Sequence, residues 1–541
     1  TIDAENHEWL STYDNAGNQL TSSTPRGNTV TYVYNKAGQL ETVTDSVPNI
    51  GQNSFDIKYH YTSRGRVYLV EDSNGNFSRI THDSMGRVIE KKDAEGQIVK
   101  TTYDTFGRKT SVEDSSGNKI TFNYKNDGTT PLRRAESIQY PTFSRHFKYD
   151  NRGRVAKVYN KIEDDQMLLI ADIKYSKTGQ RVSVTDANGK KTQYRYDKLG
   201  RVIKHIDADL KETNYVYDYT GNLLSIQDPE SSKTQYRYDL DGRKKKEIRP
   251  MLGEYSYTYN DRGMLETFKD PKGNLTTYDY DQDGSLDIQK NFSHDDLETP
   301  KRTLNLDYYA NGNLQAYSDG TISSSYTYND SGALLSETIN YPGFTKQYSY
   351  TYYDNGAKKT YTDAENNTYE YGYNQSGQLQ SIRIPGVGNY SVTDYNFMSP
   401  KIELLPGGSK RTYDYTAQMQ LKGINVIDPA QNPIMNYQYA YDNVGNIKTK
   451  TTEHGLYDYD YDNLYRLTNA INPNTATEEF TYDSVGNRLT TQENAEAWTY
   501  NANHELQARP QYSYGYDDNG SITAITKDNQ TTTFVYNEAN R

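Results

Sequence analysis

The chain has 541 residues, of which only 33% are hydrophobic, and its 72 acidic and 60 basic residues give a formal net charge of −12 at pH 7. The mean hydropathy of −1.00 argues against one large apolar core, and the dispersed acidic excess argues against a nucleic-acid partner, which would need a basic face. The absence of cysteine excludes disulfides, thiolate metal sites and a cysteine nucleophile.

Tyrosine is the dominant large side chain, with 55 residues against 12 Phe and 2 Trp. Because each tyrosine carries a hydroxyl that needs a hydrogen-bond partner, this composition favours packing close to water. The longest apolar run, Met167 to Ala171, is far shorter than the roughly 20 residues that span a bilayer, so no membrane span is predicted. The chain begins at Thr1 and stops within a repeated phrase, "YNEANR", so we expect it to be a segment of a longer polypeptide.

A repeated phrase runs along the chain: Tyr, then Asp or Asn, with Gly at the fourth position beyond the Tyr. The five steps from Tyr175 to Tyr280 are each 21 residues, and twenty-four copies occur when degenerate ones are included. We predict that these residues are structural anchors and not a chemical site. In chain order, the principal predicted anchors are Tyr103, Asp104, Gly107, Arg108, Tyr149, Asp150, Gly153, Arg154, Tyr196, Asp197, Gly200, Arg201, Tyr217, Asp218, Gly221, Tyr238, Asp239, Gly242, Arg243, Tyr441, Asp442, Gly445, Tyr482, Asp483 and Gly486.

A second turn signal lies about eleven residues after each anchor Tyr, as in "DSSGN" at Asp114 and "DPKGN" at Asp270. Turns at both ends and in the middle of a 21-residue unit leave two segments of strand length, so each unit is predicted to be a β-hairpin. The Asp, Asn and Gly residues satisfy the backbone needs of tight turns. An Arg that follows the Gly, such as Arg201, could stack on a flanking Tyr or pair with the anchor Asp.

The phrase "KTQYRYD" illustrates the predicted strand. Alternation places Thr192, Tyr194 and Tyr196 on one face, and strict alternation in "GRVIKHID" places Val202, Lys204 and Ile206 together on one face. Forty-eight such strands at about 4.8 Å each make a ribbon about 230 Å long, which closed as a single ring would be roughly 70 Å across. We therefore predict an all-β fold in which hairpin repeats form a long spiralling antiparallel sheet, an open or partial hollow shell.

The rhythm of the repeat is interrupted in four places where Pro and Gly cluster. We predict a single continuous repeat tract over 1–541, with longer loops or insertions near 126–146, 161–172, 289–302 and 384–410. The last of these still contains a faint copy of the anchor phrase at Tyr395 and Asn396.

The phrase Tyr-Asp-x-x-Gly-Arg on a period near twenty resembles the Rhs/YD-repeat family, and the resemblance extends from Tyr13 to Tyr536. This family includes bacterial Rhs polymorphic toxins, shell components of insecticidal toxin complexes, wall-associated proteins and teneurin ectodomains. The resemblance implies a spiral sheet that forms a hollow shell around a C-terminal effector, and a secreted or cell-surface location in bacteria. Protease and toxin activities are not implied here, because nothing after Tyr482 resembles the family's shell-closing region.

Other chemistry in the sequence is weak. The eight histidines show no zinc-motif spacing, and no nucleotide-binding or hydrolase motif occurs, so we predict no catalytic residue, metal or cofactor. "DYDQDG" from Asp279 mimics the start of a calcium loop, but Lys290 occupies the position that needs Glu. "YDYDYDN" from Tyr457 places three carboxylates on one face, which could gather a cation or form glycosidase-like pairs, although a solvated acidic face explains it as well.

Three functions are compatible with these features. The first is a structural shell that is not an enzyme and that encloses or displays another part of its polypeptide, a toxin or effector, with other shell components as further partners. The second is an adhesin or carbohydrate-binding surface, since exposed Tyr faces can stack on the sugar rings of cell-surface glycans. The third is an enzyme that acts on polysaccharide, which would need a compact acidic cleft.

Overall fold

The computed structural model describes residues 1–46, 55–126, 131–162, 166–251, 253–491 and 497–540. All helix or strand within these ranges is β-strand, as predicted, and the strands alternate with tight turns. The anchor Gly residues lie in the left-handed region of the backbone map, for example Gly200 at φ 84°, which explains why glycine recurs there.

The first seventeen strands are β1 (Leu10–Tyr13), β2 (Gln19–Ser23), β3 (Thr29–Tyr34), β4 (Leu40–Asp45), β5 (Phe55–Tyr61), β6 (Val67–Asp72), β7 (Phe77–His82), β8 (Val88–Lys92), β9 (Ile98–Tyr103), β10 (Lys109–Glu113), β11 (Lys119–Asn126), β12 (Pro131–Gln139), β13 (Ser144–Tyr149), β14 (Val155–Lys161), β15 (Met167–Tyr175), β16 (Arg181–Asp186) and β17 (Lys191–Tyr196). The next seventeen are β18 (Val202–Ile206), β19 (Glu212–Tyr217), β20 (Leu223–Gln227), β21 (Lys233–Tyr238), β22 (Lys244–Ile248), β23 (Glu254–Tyr259), β24 (Leu265–Lys269), β25 (Leu275–Tyr280), β26 (Leu286–Phe292), β27 (Arg302–Tyr308), β28 (Leu314–Ser318), β29 (Ser323–Tyr328), β30 (Leu334–Tyr341), β31 (Phe344–Tyr352), β32 (Lys358–Thr362), β33 (Thr368–Tyr373) and β34 (Leu379–Ile384). The last fifteen are β35 (Gly388–Asn396), β36 (Ser399–Leu404), β37 (Lys410–Tyr415), β38 (Leu421–Ile427), β39 (Pro433–Tyr441), β40 (Ile447–Thr452), β41 (Gly455–Tyr461), β42 (Leu467–Ile471), β43 (Glu478–Tyr482), β44 (Arg488–Thr491), β45 (Thr499–Tyr500), β46 (Leu506–Arg509), β47 (Tyr512–Tyr516), β48 (Ile522–Lys527) and β49 (Gln530–Thr533).

The strands pair antiparallel in chain order, so the molecule is one long ribbon of hairpins. β1 to β44 form a single 44-stranded sheet, and β45 to β49 form a second sheet of five strands. The two sheets are bonded to each other where they meet. The backbone N–H of Trp498, just before β45, donates to the carbonyl oxygen of Leu489 in β44 at 2.7 Å. Within the described residues, the anchor turns lie along one edge of the ribbon and the mid-repeat turns along the other edge.

A β-bulge follows almost every anchor turn. In the hairpin of β17 and β18, Tyr196 opposes Val202 while the residue before it opposes Lys204, so Ile203 is the extra residue. The same register shift occurs in hairpin after hairpin. The prediction that Val202, Lys204 and Ile206 share one face is therefore wrong, because the bulge moves Lys204 and Ile206 to the face opposite Val202. Repeated bulges bend strands and increase twist, which curves the ribbon.

One face of the ribbon is aromatic. In many repeats it carries a second tyrosine two residues before the anchor Tyr, whereas Thr101 and Phe147 take this position before Tyr103 and Tyr149. This tyrosine packs across the strands, as Tyr194 does on His205 and Tyr257 on Phe268, with ring centroids 5.4 Å apart in each pair. Burial raises the pKa of the members of this series Tyr215, Tyr236 and Tyr278. The aromatic packing thus forms a thin layer along this face, while Ile206 and Phe292 are buried on the opposite face.

The ribbon winds so that the chain passes itself. Side chains of mid-repeat turns contact anchor turns that lie 247 to 283 residues later in the sequence. These contacts, which we call the seam, join Arg26 to Asp281, Asp93 to Asn355, Ser116 to Ser376, Asn188 to Asp442, Asp209 to Asn463, Glu230 to Ser484, Asp228 to His504 and Asp270 to Asn519. One pass takes about 12 repeats, on the order of 115 Å of ribbon. The ribbon therefore makes about two passes and does not close as the single ring used to estimate its size.

Most of the predicted insertions are strands instead. The region 384–410 contains β35 and β36, which pair with each other and with their neighbours. Pro385, Gly386, Pro406, Gly407 and Gly408 lie in the connecting turns, whereas Gly388 and Pro400 lie in the strands. The regions 126–146 and 161–172 contribute β12 and β15 to the ladder, although 127–130 and 163–165 lie outside the described residues. In the region 289–302, an irregular segment joins β26 to β27, with a bridge between Ser293 and Asp296.

Replacement of Arg26 tests the seam. Arg26 is largely buried, pairs with Asp281, and donates to Ser285 Oγ at 3.0 Å and to the Tyr309 carbonyl oxygen at 3.1 Å. We expect Arg26→Ala to cost about 1–3 kcal/mol of local stability, because it leaves buried acceptors unpaired. Hydrogen exchange should accelerate both around Arg26 and in the turn at 281–285.

The matched control is Arg64→Ala. Arg64 is exposed and bonds only locally, to the Ser84 carbonyl oxygen at 3.1 Å. Arg64→Ala should leave hydrogen exchange at 281–285 unchanged. Equal exchange at 281–285 in wild type and Arg26→Ala would refute the seam.

Candidate functional site

The anchor turn is the recurring polar site of the fold. In the turn after β17, one carboxylate oxygen of Asp197 accepts hydrogen bonds from the backbone N–H groups of Leu199 and Arg201, both at 2.9 Å. The second oxygen accepts the Arg201 Nε–H at 2.7 Å. Gly200 turns the backbone between them. The side chain of Asp197 therefore organises the turn and holds the following arginine in place.

The arginine connects one repeat to the next. The Arg201 guanidinium lies over the ring of Tyr217, 4.8 Å from its centroid, and donates to the Asp218 carbonyl oxygen at 2.8 Å. One guanidinium thus bonds its own anchor Asp, stacks on the next anchor Tyr and binds the next turn. The same stacking occurs for Arg87 on Tyr103, Arg108 on Tyr124, Arg154 on Tyr175, Arg243 on Tyr259 and Arg466 on Tyr482.

The anchor tyrosines bond backward along the ribbon. The hydroxyl of Tyr196 donates to the Arg181 carbonyl oxygen at 2.7 Å, just after the preceding anchor turn. The hydroxyls of Tyr103, Tyr149, Tyr238, Tyr441 and Tyr482 donate to backbone carbonyl oxygens in the same way. Tyr395, in the faint copy of the phrase, donates to the Leu379 carbonyl oxygen at 2.5 Å. These hydroxyls therefore form hydrogen bonds within the sheet.

In several turns, asparagine takes the position of the arginine. Its shorter side chain bonds the anchor carboxylate of its own turn. Asn446 and Asn487 donate through Nδ2 to the anchor carboxylates Asp442 and Asp483 at 2.8 and 2.7 Å. At Asp218 burial acts to raise the pKa, but hydrogen bonds from Thr220 and Asn222 outweigh it and lower the pKa to about 2. The backbone N–H of Arg201, and then its side chain, likewise hold the pKa of Asp197 below its usual value. Asp197 and Asp218 are therefore ionised in the folded chain at neutral pH.

The remaining predicted anchors take the same positions. Asp104, Asp150 and Asp239 each bond the Nε–H of the arginine four residues later, Arg108, Arg154 and Arg243, at 2.6 to 2.7 Å. Gly107, Gly153, Gly221, Gly242, Gly445 and Gly486 all have positive φ. The structure spaces these residues along one edge of the ribbon and does not gather them into one pocket.

Several carboxylates of the two acidic motifs pair with cations from the chain itself. Arg26, from the other side of the seam, pairs with Asp281 and Asp283 of "DYDQDG", which explains the carboxylates there without calcium. In "YDYDYDN", Asp460 pairs with Lys448 and Asp462 pairs with Arg466. Among the described residues, no group of three or more His, Asp or Glu side chains is arranged to hold a metal ion.

Sequence reasoning missed one buried charge network. Glu403 is only 5% exposed and accepts hydrogen bonds from the hydroxyls of Tyr390 and Tyr413 at 2.8 and 3.1 Å, and from Arg411 at 3.2 Å. Burial, and then the bond to Glu403, raise the pKa of the Tyr390 hydroxyl. The four groups satisfy one another, so the network stabilises three adjacent strands. Only the cross-strand register brings these residues together, and the sequence alone gives no signal of it.

The geometry defines a class of protein: a long antiparallel sheet of tandem β-hairpins. Side chains bond neighbouring repeats to one another, and the seam joins successive passes of the sheet. Two family models match the chain. The RHS Repeat model matches residues 13–47, 175–210 and 217–250, and the Teneurin YD-shell model matches residues 292–483. The resemblance found in the sequence is confirmed, and the chain is a YD-repeat protein of the Rhs and teneurin-shell kind.

Solved structures share the fold. The crystal structure of TcdB2-TccC3 superposes with a TM-score of 0.64 at 14% identity, covering 96% of this chain and 37% of that chain. TcdB2-TccC3 without its hypervariable C-terminal region gives a TM-score of 0.63 at 14% identity, with 96% and 38% covered. This chain thus spans well under half the length of the structures that it matches. The predicted all-β fold, an open spiral sheet, is confirmed.

Two further comparisons are brief. The comparison with curated proteins gives no significant match. Within the part of the chain that the structure describes, no helix has the length and apolar character to cross a membrane.

Replacement of Arg201 by Lys tests the connection between repeats. Lysine keeps the positive charge but cannot bond Asp197 and stack flat on Tyr217 at once. We expect the loss of about 0.5–1 kcal/mol from the stack alone, and faster hydrogen exchange in the turns at 197–201 and 218–222. Lys198→Arg, on the exposed tip of the same turn, is the control and should change neither. Unchanged exchange in Arg201→Lys would contradict a role for the guanidinium between repeats.

The lowered pKa values of the anchor carboxylates Asp104, Asp150, Asp197, Asp218 and Asp239 predict acid sensitivity. Each such group stabilises the fold above its unfolded pKa of about 3.9, and this contribution is lost as the pH falls through its folded pKa, about 2 for Asp218. The melting temperature should hold steady from pH 7 to about 5 and fall steeply between about pH 4 and 2. Asp218→Asn should flatten part of this fall. A melting temperature independent of pH below 4 would contradict the assignment.

Proposed function

We propose that this chain is the wall of a hollow shell that encloses or displays another part of its own polypeptide, such as a C-terminal effector. The observation that carries the proposal is the seam. A ribbon of hairpins alone leaves gaps between its passes, whereas bonds from Asp3 to Arg262 through Asp270 to Asn519 join the edges of successive passes. A ribbon joined edge to edge makes a continuous surface able to separate an interior from solvent.

The comparisons support the same proposal. The fold is shared with TcdB2-TccC3, one form of which is described by the absence of a hypervariable C-terminal region and another by the presence of Cdc42. We infer by analogy a segment of variable sequence as the enclosed partner, and other shell components as further partners. We also propose a secreted or cell-surface location in a bacterium, and we assign the wall itself no catalysis.

Adhesion to glycans is less well supported. A sugar-binding surface needs free aromatic faces with polar groups beside them. The anchor tyrosines instead donate their hydroxyls to backbone carbonyl oxygens, and several rings are covered by arginine, as Tyr217 is by Arg201. The polar and aromatic groups that would bind a sugar are thus largely used within the wall.

Limited proteolysis of the complete polypeptide that contains this chain tests the proposal. Any segment enclosed by the wall should resist a protease that digests the same segment rapidly when it is expressed alone. Arg26→Ala combined with Asn463→Ala weakens two points of the seam and should shorten the lifetime of the enclosed segment, whereas Arg64→Ala should not. Digestion of the folded polypeptide that removes every non-wall segment as fast as the isolated segments would rule out enclosure.

A further inference from the structure

One seam contact brings together the groups that can form a covalent bond between the two passes. The anchor turn after β41 places Asn463 between two successive mid-repeat turns of the other pass, 186–190 and 207–211. Lys190 of the first turn donates from Nζ to Oδ1 of Asn463 at 2.5 Å, and Nδ2 of Asn463 donates to Oδ1 of Asp209 in the second turn at 2.7 Å. A cation at the oxygen and a carboxylate at the nitrogen fix the orientation of the carboxamide.

This contact differs from the ion pairs elsewhere in the chain. Lys272 also crosses the seam, but it pairs with the carboxylate of Asp517 at 3.1 Å, and a carboxylate anion resists attack by an amine. The carboxamide of Asn463 is uncharged, and its nitrogen can leave as ammonia. A C=O bond is about 1.2 Å long, so Nζ of Lys190 lies at most about 3.7 Å from the carbonyl carbon. This limit is close to the separation of about 3–3.5 Å at which a positioned nucleophile reacts.

We propose that Lys190 and Asn463 form an isopeptide bond that joins the two passes of the ribbon covalently. Nζ of Lys190 loses a proton and attacks the carbonyl carbon of Asn463. The new Nζ–Cγ bond forms, the Cγ–Nδ2 bond breaks, and Nδ2 leaves as ammonia. The overall change converts an ammonium group and a carboxamide into a secondary amide and an ammonium ion, so no oxidant, reductant or further reactant is needed. Asn463 is exposed, which lets the ammonia leave to solvent.

Asp209 is placed to carry the proton from one nitrogen to the other. Its Oδ1 accepts a hydrogen bond from Nδ2 of Asn463, which is the leaving group of the reaction. The carboxylate takes up the proton that Lys190 gives up and delivers it to Nδ2, so that the nitrogen departs as neutral ammonia. Arg466 pairs with the other carboxylate oxygen, Oδ2, at 3.6 Å, which keeps Oδ1 directed toward Asn463. One carboxylate thus acts first as a base and then as an acid.

The bond suits a chain that has no cysteine and therefore no disulfides. Lys190 and Asn463 are 273 residues apart, so their cross-link holds the two passes together even when the hydrogen bonds around it open. Closing so long a loop also lowers the conformational entropy of the unfolded chain, as a long-range disulfide does. The seam then resists separation whether or not the shell encloses another segment.

Intact-mass spectrometry of the purified 541-residue chain tests the proposal. We expect the wild type, after prolonged incubation at neutral pH, to weigh less than its sequence by the mass of one ammonia. Lys190→Arg keeps the positive charge but replaces the amine with a weakly nucleophilic guanidinium, so this variant should retain the full sequence mass. The matched control is Lys272→Arg, which alters the lysine that crosses the seam to a carboxylate. The control should lose ammonia as the wild type does.

Peptide mapping then locates the bond. Ring closure at an Asn-Gly bond, such as that of Asn188 and Gly189, releases ammonia too, so a linked peptide that contains Lys190 and Asn463 must account for the loss. Asp209→Asn keeps an acceptor for Nδ2 but cannot carry the proton, and it should slow linkage by about 100-fold. A wild-type chain that yields no linked peptide overturns the proposal, as does an equal loss of ammonia from Lys190→Arg. Equal rates of linkage in wild type and Asp209→Asn would overturn the role of Asp209.

Discussion

The structure depends on one interaction, the arginine that follows the anchor turn. Its guanidinium is fixed by the anchor carboxylate of its own repeat and extends to the ring and backbone of the next, as Arg201 does between Asp197 and Tyr217. The tyrosine in turn donates its hydroxyl backward, as Tyr196 does to Arg181. Repeats that carry this arginine and the tyrosine bond are therefore bonded to both neighbours by side chains as well as by the strand ladder. Each bond is weak alone, but a linear array sums nearest-neighbour terms along its length.

Curvature then follows from local backbone geometry. A bulge in nearly every anchor hairpin adds a residue to the strand after the turn, and the extra residue bends and twists the ribbon in the same sense each time. A constant bend per repeat makes a coil with a fixed number of repeats per pass. The seam is the result: contacts such as Asp209 to Asn463 and Glu230 to Ser484 both span 254 residues, about twelve repeats of 21. Repeat length and bend together determine which turns meet.

The sequence predicted what is local and missed what is distant. Strands, turns and their period could be read because Tyr, Asp and Gly at fixed spacing satisfy needs within one hairpin. The connection by Arg201 was one of two stated possibilities, and the structure contains both at once. The region 384–410 was misread because Pro and Gly were taken as insertions, whereas Gly386 and Pro406 lie in turns between strands. The bulge at Ile203 depends on strand register, and the pairing of Arg26 with Asp281 depends on curvature accumulated over many repeats. No local sequence motif indicates either feature.

The seam distinguishes this chain from repeat proteins in which each repeat contacts only its two neighbours. In an array with neighbour contacts only, an opened hairpin exposes its two neighbours and nothing else. Here the same hairpin also contacts turns twelve repeats away, so the repeats are coupled in two directions and opening one of them breaks bonds in two passes. A sheet coupled in two directions resists local opening without a thick core, which fits a chain that is only 33% hydrophobic and buries its tyrosines in a thin layer. A continuous protein surface needs this resistance to local opening, because one open hairpin would leave a gap in the surface.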